Sequence, residues 1–539
     1  MAYLSFQPTR LDAQDSATGT SMYFRFYSHA FSLVIASPSF EPFIPRWITL
    51  AWNKTPSLSH PHTKMRTFTT LAAAASLISA SNAITLLEKR HGTAPRVVQH
   101  EIQRTHVENP VARDRPRIRK RQSKTVQEKL DNEETLYFMN ATVGTPAQDL
   151  RLHIDTGSSD LWVNVANSKL CSAQGNACGA SGTYAPNSSS TYQYINSDFN
   201  ITYVDGSGSS GDYVSDKVQF GGVTLENQQL GIGYSSTSAE GIIGIGYPIN
   251  EVATQYNGGN SYPNVPQHLM QNGDINSNAY SLWLNDLDAS TGSILFGGVN
   301  TDKFTGELQT LPIIREQGYY AEFIIALTAV GANGTTGSIA NNIATPALLD
   351  SGSSLMYLPN SIVQTIYNDV GAQYDSSQGA AFVNCNLAKS NATIDFTFSS
   401  PTIRVAMSEL VIVAGYDSHN NPLCIIGISP VDGGTPVLGD TFIRSAYIVY
   451  DLTNNEISIA QTNFNSTTDN ILEITNTTGV PSATAVANAV TNVAVSSGGA
   501  RIGSGPTGVT SSAWALPTAA IGYDVALLGA LGAGLAYAL

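Results

Sequence analysis

Ile154-Asp155-Thr156-Gly157-Ser158-Ser159 and Leu349-Asp350-Ser351-Gly352-Ser353-Ser354 are two versions of one phrase: an apolar residue, an aspartate, a small hydroxyl residue, glycine and two serines. One such hexapeptide carries little information. Two of them, 195 residues apart (350 − 155), point to a duplicated lobe in which each copy delivers one carboxylate to a shared cleft.

A second repeat supports the duplication. Gly241-Ile242-Ile243-Gly244-Ile245-Gly246 begins 86 residues after the first aspartate (241 − 155), and Pro436-Val437-Leu438-Gly439-Asp440 begins 86 residues after the second (436 − 350). An apolar pair closed by glycine lets a strand cross tightly under each Asp loop. Around these motifs the pattern is strand-like from Glu134 to about Gln461. Leu150, Leu152 and Ile154 alternate with Arg151 and His153, so that one face points inward as the chain reaches Asp155. Gly-, Ser- and Asn-rich turns punctuate the rest. One helix is expected, capped by Pro359-Asn360-Ser361 and carrying Ile362, Ile366 and Val370 at intervals of four. The body is predicted to be all-β with few helices.

These residues resemble a family. Tyr137-Phe138, Val143-Gly144-Thr145-Pro146-Ala147-Gln148, His153 through Val163, Ile201-Thr202-Tyr203, Gly241–Gly246, Ala347–Leu358 and Val437–Asp451 are similar to the pepsin-type aspartic endopeptidases, most of all to the yapsin group of fungal cell-surface members. The resemblance spans about residues 130–465. It implies a bilobal fold with pseudo-twofold duplicated lobes, an N-terminal lobe at 122–300 and a C-terminal lobe at 301–465, with a deep cleft between them. It further implies that Asp155 and Asp350 are the catalytic pair, that Ser158 and Ser353 donate hydrogen bonds to them, and that Thr156 and Ser351 lock the two loops across the dyad. Gly157 and Gly352 let the backbone approach each carboxylate closely. Tyr203 resembles the flap tyrosine and Trp162 its hydrogen-bond partner; outside the resemblance, Trp162 is a plain core aromatic. Val204 departs from the glycine that many relatives carry after this tyrosine. Asp205 sits two residues past Tyr203, where relatives with an acidic residue accept Lys or Arg before the scissile bond; the plain alternative is a turn residue in Asp-Gly.

The chemistry follows from the residue types. Two neighbouring carboxylates share one proton, so that one takes a proton from a water while the other protonates the scissile carbonyl. Peptide hydrolysis then needs no metal, cofactor or covalent intermediate, and none is expected. Nine scattered histidines form no HExxH, and no Gly-rich segment closes in Lys-Ser/Thr. The alternatives are a pepsin-fold binding module that has lost activity, which the intact motifs argue against, and a cell-wall structural protein, for which the unrepeated Ser/Thr stretch is too short.

Charge is unevenly spread over the 539 residues. Residues 1–121 hold 16 Lys and Arg against 7 Asp and Glu, and the remainder holds 11 against 34, within a net charge of −14. An acidic body repels nucleic acid and suits acidic surroundings. Cys171, Cys178, Cys385 and Cys424 admit three pairings; short spacing favours Cys171 with Cys178 and Cys385 with Cys424. No CxxC or Cys/His cluster suggests a metal.

The flanks read as targeting segments. Met65-Arg66, Leu71 through Ile78 and Ser81-Asn82-Ala83 form a secretory signal at 65–83, which makes residues 1–64 an expected miscalled extension. Residues 84–121, with little apolar periodicity, are expected to be a propeptide that carries the dibasic processing sites Lys89-Arg90 and Arg119-Lys120-Arg121. Residues 466–512, rich in Thr, Ser, Ala, Val and Gly, are expected to be a flexible stalk. Residues 513–539 fit a GPI-attachment signal, with a short spanning segment as the alternative. Sequons at Asn140, Asn187, Asn200, Asn333, Asn391, Asn465 and Asn476 agree with a secreted route. The expected partners are polypeptide substrates, the chain's own propeptide and a membrane reached through the anchor, with no nucleic acid, for a monomeric enzyme at the cell surface.

Overall fold

Alternation does carry the chain into its first aspartate. In the strand Gln148–Asp155, Leu150, Leu152 and Ile154 are buried, as a period of two requires of a strand with one face on a core. The end of the strand departs from the expected pattern, because His153 is buried as well. The strand is interior to its sheet, flanked by Leu136–Val143 and by Gly241–Gly244, and the Phe138 ring lies 5.7 Å from the His153 ring.

The computed structural model describes residues 96–105 and 136–495, apart from 174–175, 204–206, 256–259, 290, 432 and 477–478. The expected signal peptide, both dibasic sites, the GPI signal and Asp205 lie outside the described residues. Within them the architecture is almost entirely β: a 14-stranded sheet and four smaller sheets of two, five, four and four strands. The large sheet takes strands from both halves of the chain, with Ala446–Asp451 pairing Ala279–Trp283 across the middle. One continuous apolar core underlies it, from Leu152 and Ile154 through Phe296 to Leu349 and Ile459.

The two halves repeat one local design. Gly241–Gly244 runs parallel to the strand ending at Asp155, with Ile154 beside Ile243. Val437–Leu438 runs parallel to Thr345–Leu349, with Leu349 beside Leu438. The expected tight crossing is present in both. A Cβ on Gly244 would lie 2.6 Å from the Ser159 nitrogen, and one on Gly439 would lie 2.3 Å from the Ser353 carbonyl, so only glycine fits beneath each loop.

The expected helix forms at Asn360–Val370 and stops at Gly371, which adopts φ 68°. Its start differs from the expectation. Pro359 holds the cap position, and no side chain caps the helix. A second helix, Val265–Asn272, has the start and stop signals in full, with Asn264 accepting from the Gln267 N–H and Gly273 left-handed at the end.

Two flanking segments depart from their expected character. Val98–Thr105, inside the expected propeptide, is a strand of the large sheet between Thr291–Phe296 and Leu136–Val143, with Ile102 fully buried. The expected stalk is not free of the body over 466–495. Ile471–Glu473 pairs with Gly298–Asn300, and Ala483–Ala485 runs parallel to residues 308–310. Ile474 is fully buried, and Val490, Val493 and Val495 pack on an apolar patch that includes Leu348 and Tyr357. The reason is complementarity: a sparse set of Ile and Val residues meets sheet edges and apolar patches that the body leaves open.

Both disulfides match the favoured pairing, Cys171–Cys178 and Cys385–Cys424. Among the described residues no helix is long and apolar enough to cross a membrane.

Candidate active site

Each aspartate stands at the end of a strand and is held by its own turn. The Gly157 N–H donates to Asp155 Oδ1 at 2.8 Å, and Ser158 Oγ donates to Asp155 Oδ2 at 2.5 Å. The second turn repeats this with Gly352 N–H to Asp350 Oδ1 at 2.8 Å and Ser353 Oγ to Asp350 Oδ2 at 2.7 Å. Asp155 is buried and Asp350 partly so.

The turns are laced together. Thr156 Oγ1 donates to the Leu349 carbonyl at 2.9 Å and accepts from the Ser351 N–H at 2.9 Å. Reciprocally, Ser351 Oγ donates to the Ile154 carbonyl at 3.0 Å and accepts from the Thr156 N–H at 3.2 Å. Two hydroxyls thereby satisfy four backbone groups that would otherwise be buried without partners. This lacing brings the carboxylates together. A Cβ on Gly352 would lie 2.4 Å from Asp155 Oδ1 and 2.9 Å from Asp350 Oδ1, and one on Gly157 would lie 2.6 Å from Asp350 Oδ1. Each glycine thus makes room for the opposite aspartate, which is more specific than the general freedom expected of it.

Above the first turn stands a hairpin of Gln193–Thr202 and Gly208–Phe220. Tyr203 begins its tip, where its N–H donates to the Ser207 carbonyl at 2.8 Å. Trp162 Nε1 donates to the Tyr203 hydroxyl at 2.7 Å, so the pairing implied by resemblance is present. Trp162 is also fully buried in an aromatic cluster with Phe199, Ile201, Tyr213 and Tyr262. Its packing and its hydrogen bond coexist.

Sequence reasoning passed over the residues that join this cluster to the first aspartate turn. Asp160, fully buried, accepts from the Tyr213 hydroxyl at 2.6 Å, the Tyr262 hydroxyl at 2.9 Å and the Val252 N–H at 2.9 Å. Ser159 Oγ donates to the Tyr247 carbonyl at 2.7 Å. The available signal was a charged residue, Asp160, set between the Gly-Ser-Ser turn and the apolar run Leu161-Trp162-Val163.

The remaining expected residues lie apart from this site. The four cysteines form local bridges, and the asparagines of all seven sequons are exposed. Among the described residues no cluster of His, Cys, Asp and Glu has the makings of a metal site.

Comparison with known proteins follows the same residues. Positions 136–462 match the family described as eukaryotic aspartyl protease. The chain is 58% identical over 421 residues to the probable aspartic-type endopeptidase opsB of Aspergillus oryzae, covering 77% of this chain and 86% of that protein. It is 54% identical over 450 residues to the probable aspartic-type endopeptidase opsB of Aspergillus fumigatus, covering 82% and 90%. In fold it is similar to the crystal structure of an aspartic proteinase from Irpex lacteus, with a TM-score of 0.52 and 24% identity over 62% of this chain and 97% of that one.

Proposed function

The chain belongs to the eukaryotic aspartyl proteases, and from that premise we propose that Asp155 and Asp350 are its catalytic pair. It is an aspartic endopeptidase, and its substrates are polypeptides. The observation that carries the assignment is the matched pair of half-sites, each with one Gly N–H and one Ser hydroxyl on its carboxylate, laced by Thr156 and Ser351.

The arrangement supports a definite sequence of proton movements. Two carboxylates this close hold a single proton between them, as aspartic-protease dyads do in general. The ionised member removes a proton from a water lying between them, and the water oxygen attacks the scissile carbonyl. The protonated member gives its proton to the carbonyl oxygen as the tetrahedral centre forms. As that centre collapses and the C–N bond breaks, the member that took the water's proton passes it to the departing nitrogen. The other member takes a hydroxyl proton from the centre as the centre becomes the carboxylic acid, and the pair again holds one proton. Aspartic-protease dyads in general are half-protonated under acidic conditions, so activity is expected to peak at acidic pH. Tyr203, anchored by Trp162, closes over the substrate from the flap. Replacing either aspartate with asparagine removes cleavage of a protein substrate at pH 3–5; retained pepstatin-sensitive cleavage in Asp155→Asn would overturn the assignment.

Two finer readings rest on the sequence. Asp205 follows Tyr203 by two positions, where its carboxylate would favour Lys or Arg before the scissile bond. An unchanged cleavage preference in Asp205→Ala across a peptide library excludes this role. The signal-like, dibasic and apolar tail segments support a yapsin-like enzyme made as a zymogen and displayed at the cell surface on a GPI anchor, and the exposed sequons suit that route. Phosphatidylinositol-specific phospholipase C should release it from cells; protein that stays bound after the treatment argues for another attachment.

A further inference from the structure

We propose that Asp160 and Glu251 form a proton-dependent brace that holds the flap-bearing aromatic cluster against the first catalytic turn. The inference rests on the assignment of that turn and of the flap given above.

The brace is built from two carboxyl groups with opposite surroundings. Asp160 accepts three donors: the Tyr213 and Tyr262 hydroxyls and the Val252 N–H. Three donors is the setting of an ionised carboxylate. Glu251 is equally buried, yet it accepts only the Tyr262 N–H, at 2.8 Å through Oε2, while its Oε1 is buried with no hydrogen-bond partner. That is the setting of a carboxyl group that keeps its proton. Burial, and then the charge of Asp160, push the Glu251 carboxyl well above its ordinary value of 4.5. Among the described residues, the phenols of Tyr213 and Tyr262 face the couple, and burial pushes Tyr262 up as well.

Tyr262 touches both members, accounting for one donor to each. From this point the loop of residues 247–255 reaches the catalytic turn, where Ser159 Oγ donates to the Tyr247 carbonyl and Asn250 Nδ2 lies 3.5 Å from the Gly157 carbonyl. In the other direction Tyr213, Tyr262 and Val252 pack with Trp162, Phe199 and Ile201, and Tyr203 lies against them. Loss of the Glu251 proton places two buried negative charges at the junction of these parts. The folded chain keeps that proton to higher pH than the unfolded chain does. The contribution of the brace is therefore complete below about pH 4.5 and is lost as pH rises through the folded value. Glu251 and Asp160 are positioning residues and do not touch the substrate.

The test uses Glu251→Gln, which copies the protonated side chain. In an Asp155→Asn background, which removes self-digestion, thermal midpoints are measured from pH 4 to pH 7.5. The two proteins should coincide at pH 4, and the Glu251→Gln protein should then stay ahead by ~2 °C or more at pH 7. With Asp155 intact, KM for a peptide substrate should climb more steeply between pH 4.5 and 6.5 with glutamate than with glutamine at position 251, by ~3-fold or more, while kcat changes in parallel in the two. Asp160→Asn, which removes the charge acting on Glu251 and leaves its burial, should make the same stability slope shallower without abolishing it; an unchanged slope overturns the coupling of the two groups. Parallel stability curves for the glutamate and glutamine forms overturn the brace, whatever the outcome for catalysis. Divergent stability with identical KM profiles overturns its link to the flap. The stability arm needs no activity, so it separates failure of the brace from failure of the catalytic assignment.

Discussion

Thr156→Val tests whether the lacing between the two turns sets both stability and catalysis. Thr156 and Ser351 are 1% and 0% exposed, so water does not replace what their hydroxyls supply. Removing the Thr156 hydroxyl orphans the Leu349 carbonyl and the Ser351 N–H. At roughly 2 kcal/mol for each orphaned group, less about 1 for the methyl that takes its place, the loss is about 3 kcal/mol. Ser351→Ala orphans the Ile154 carbonyl and the Thr156 N–H with nothing in return, a loss of about 4 kcal/mol. The double variant should lose about 5 kcal/mol rather than the sum. Either substitution loosens the contact between the two strand ends, so the hydrogen bonds made by the other hydroxyl are already weakened when it is removed. Urea denaturation at pH 4 in the Asp155→Asn background measures all three. With both aspartates present, kcat of each single variant should fall ~10²-fold as the carboxylates separate. Single-variant losses below about 0.5 kcal/mol, the level of an ordinary surface substitution, would refute the reasoning.

Gly352→Ala places a methyl 2.4 Å from Asp155 Oδ1. It should lower kcat ~10²-fold with KM nearly unchanged, and wild-type kcat in this variant excludes the close approach. Burial raises the Asp451 carboxyl above its ordinary value of 3.8 against the hydrogen bonds of Asn454. The folded chain therefore holds that proton to higher pH than the unfolded chain, and stability falls as pH rises past 3.8 through the folded value. Asp451→Asn should flatten part of the fall between about pH 4 and 7 in thermal melts, and an unchanged slope assigns it elsewhere. Ending the chain after residue 482 strips Val486, Val490, Val493 and Val495 from the body. It should cost about 3 kcal/mol in urea denaturation, whereas no change would restore the reading of this segment as a free stalk.

What the sequence made legible was whatever repeats. The two Asp phrases and their glycine-closed partners at equal offset identify both half-sites, because tight crossings admit few residue types. The helix at Asn360–Val370 was legible from Ile362 and Ile366, although its cap was not. Segments whose order depends on a distant acceptor were not legible. Val98–Thr105 carries only Val98 and Ile102 as buried apolar residues, and it becomes a strand because two others leave a gap for it. Residues 466–495 have the composition of a flexible linker, and Ile474 and Val490 acquire meaning only against the surfaces they meet. Asp160 and Glu251 sit 91 residues apart (251 − 160), and neither announces a partner in one dimension.

Severing a peptide bond and parting two pieces are different events, and the strand Val98–Thr105 separates them. A cut after Arg121 would leave this strand in register with six residues of Thr291–Phe296 and three of Leu136–Val143. The expected immediate product is a two-chain particle that would co-migrate as one species in native conditions and resolve only in denaturant. Departure of the strand then bares two facing ladders of N–H and C=O groups in the middle of the largest sheet, a vacancy that another extended segment has to fill. If the chain is processed as proposed, the tempo of maturation would depend on strand exchange as well as on cleavage.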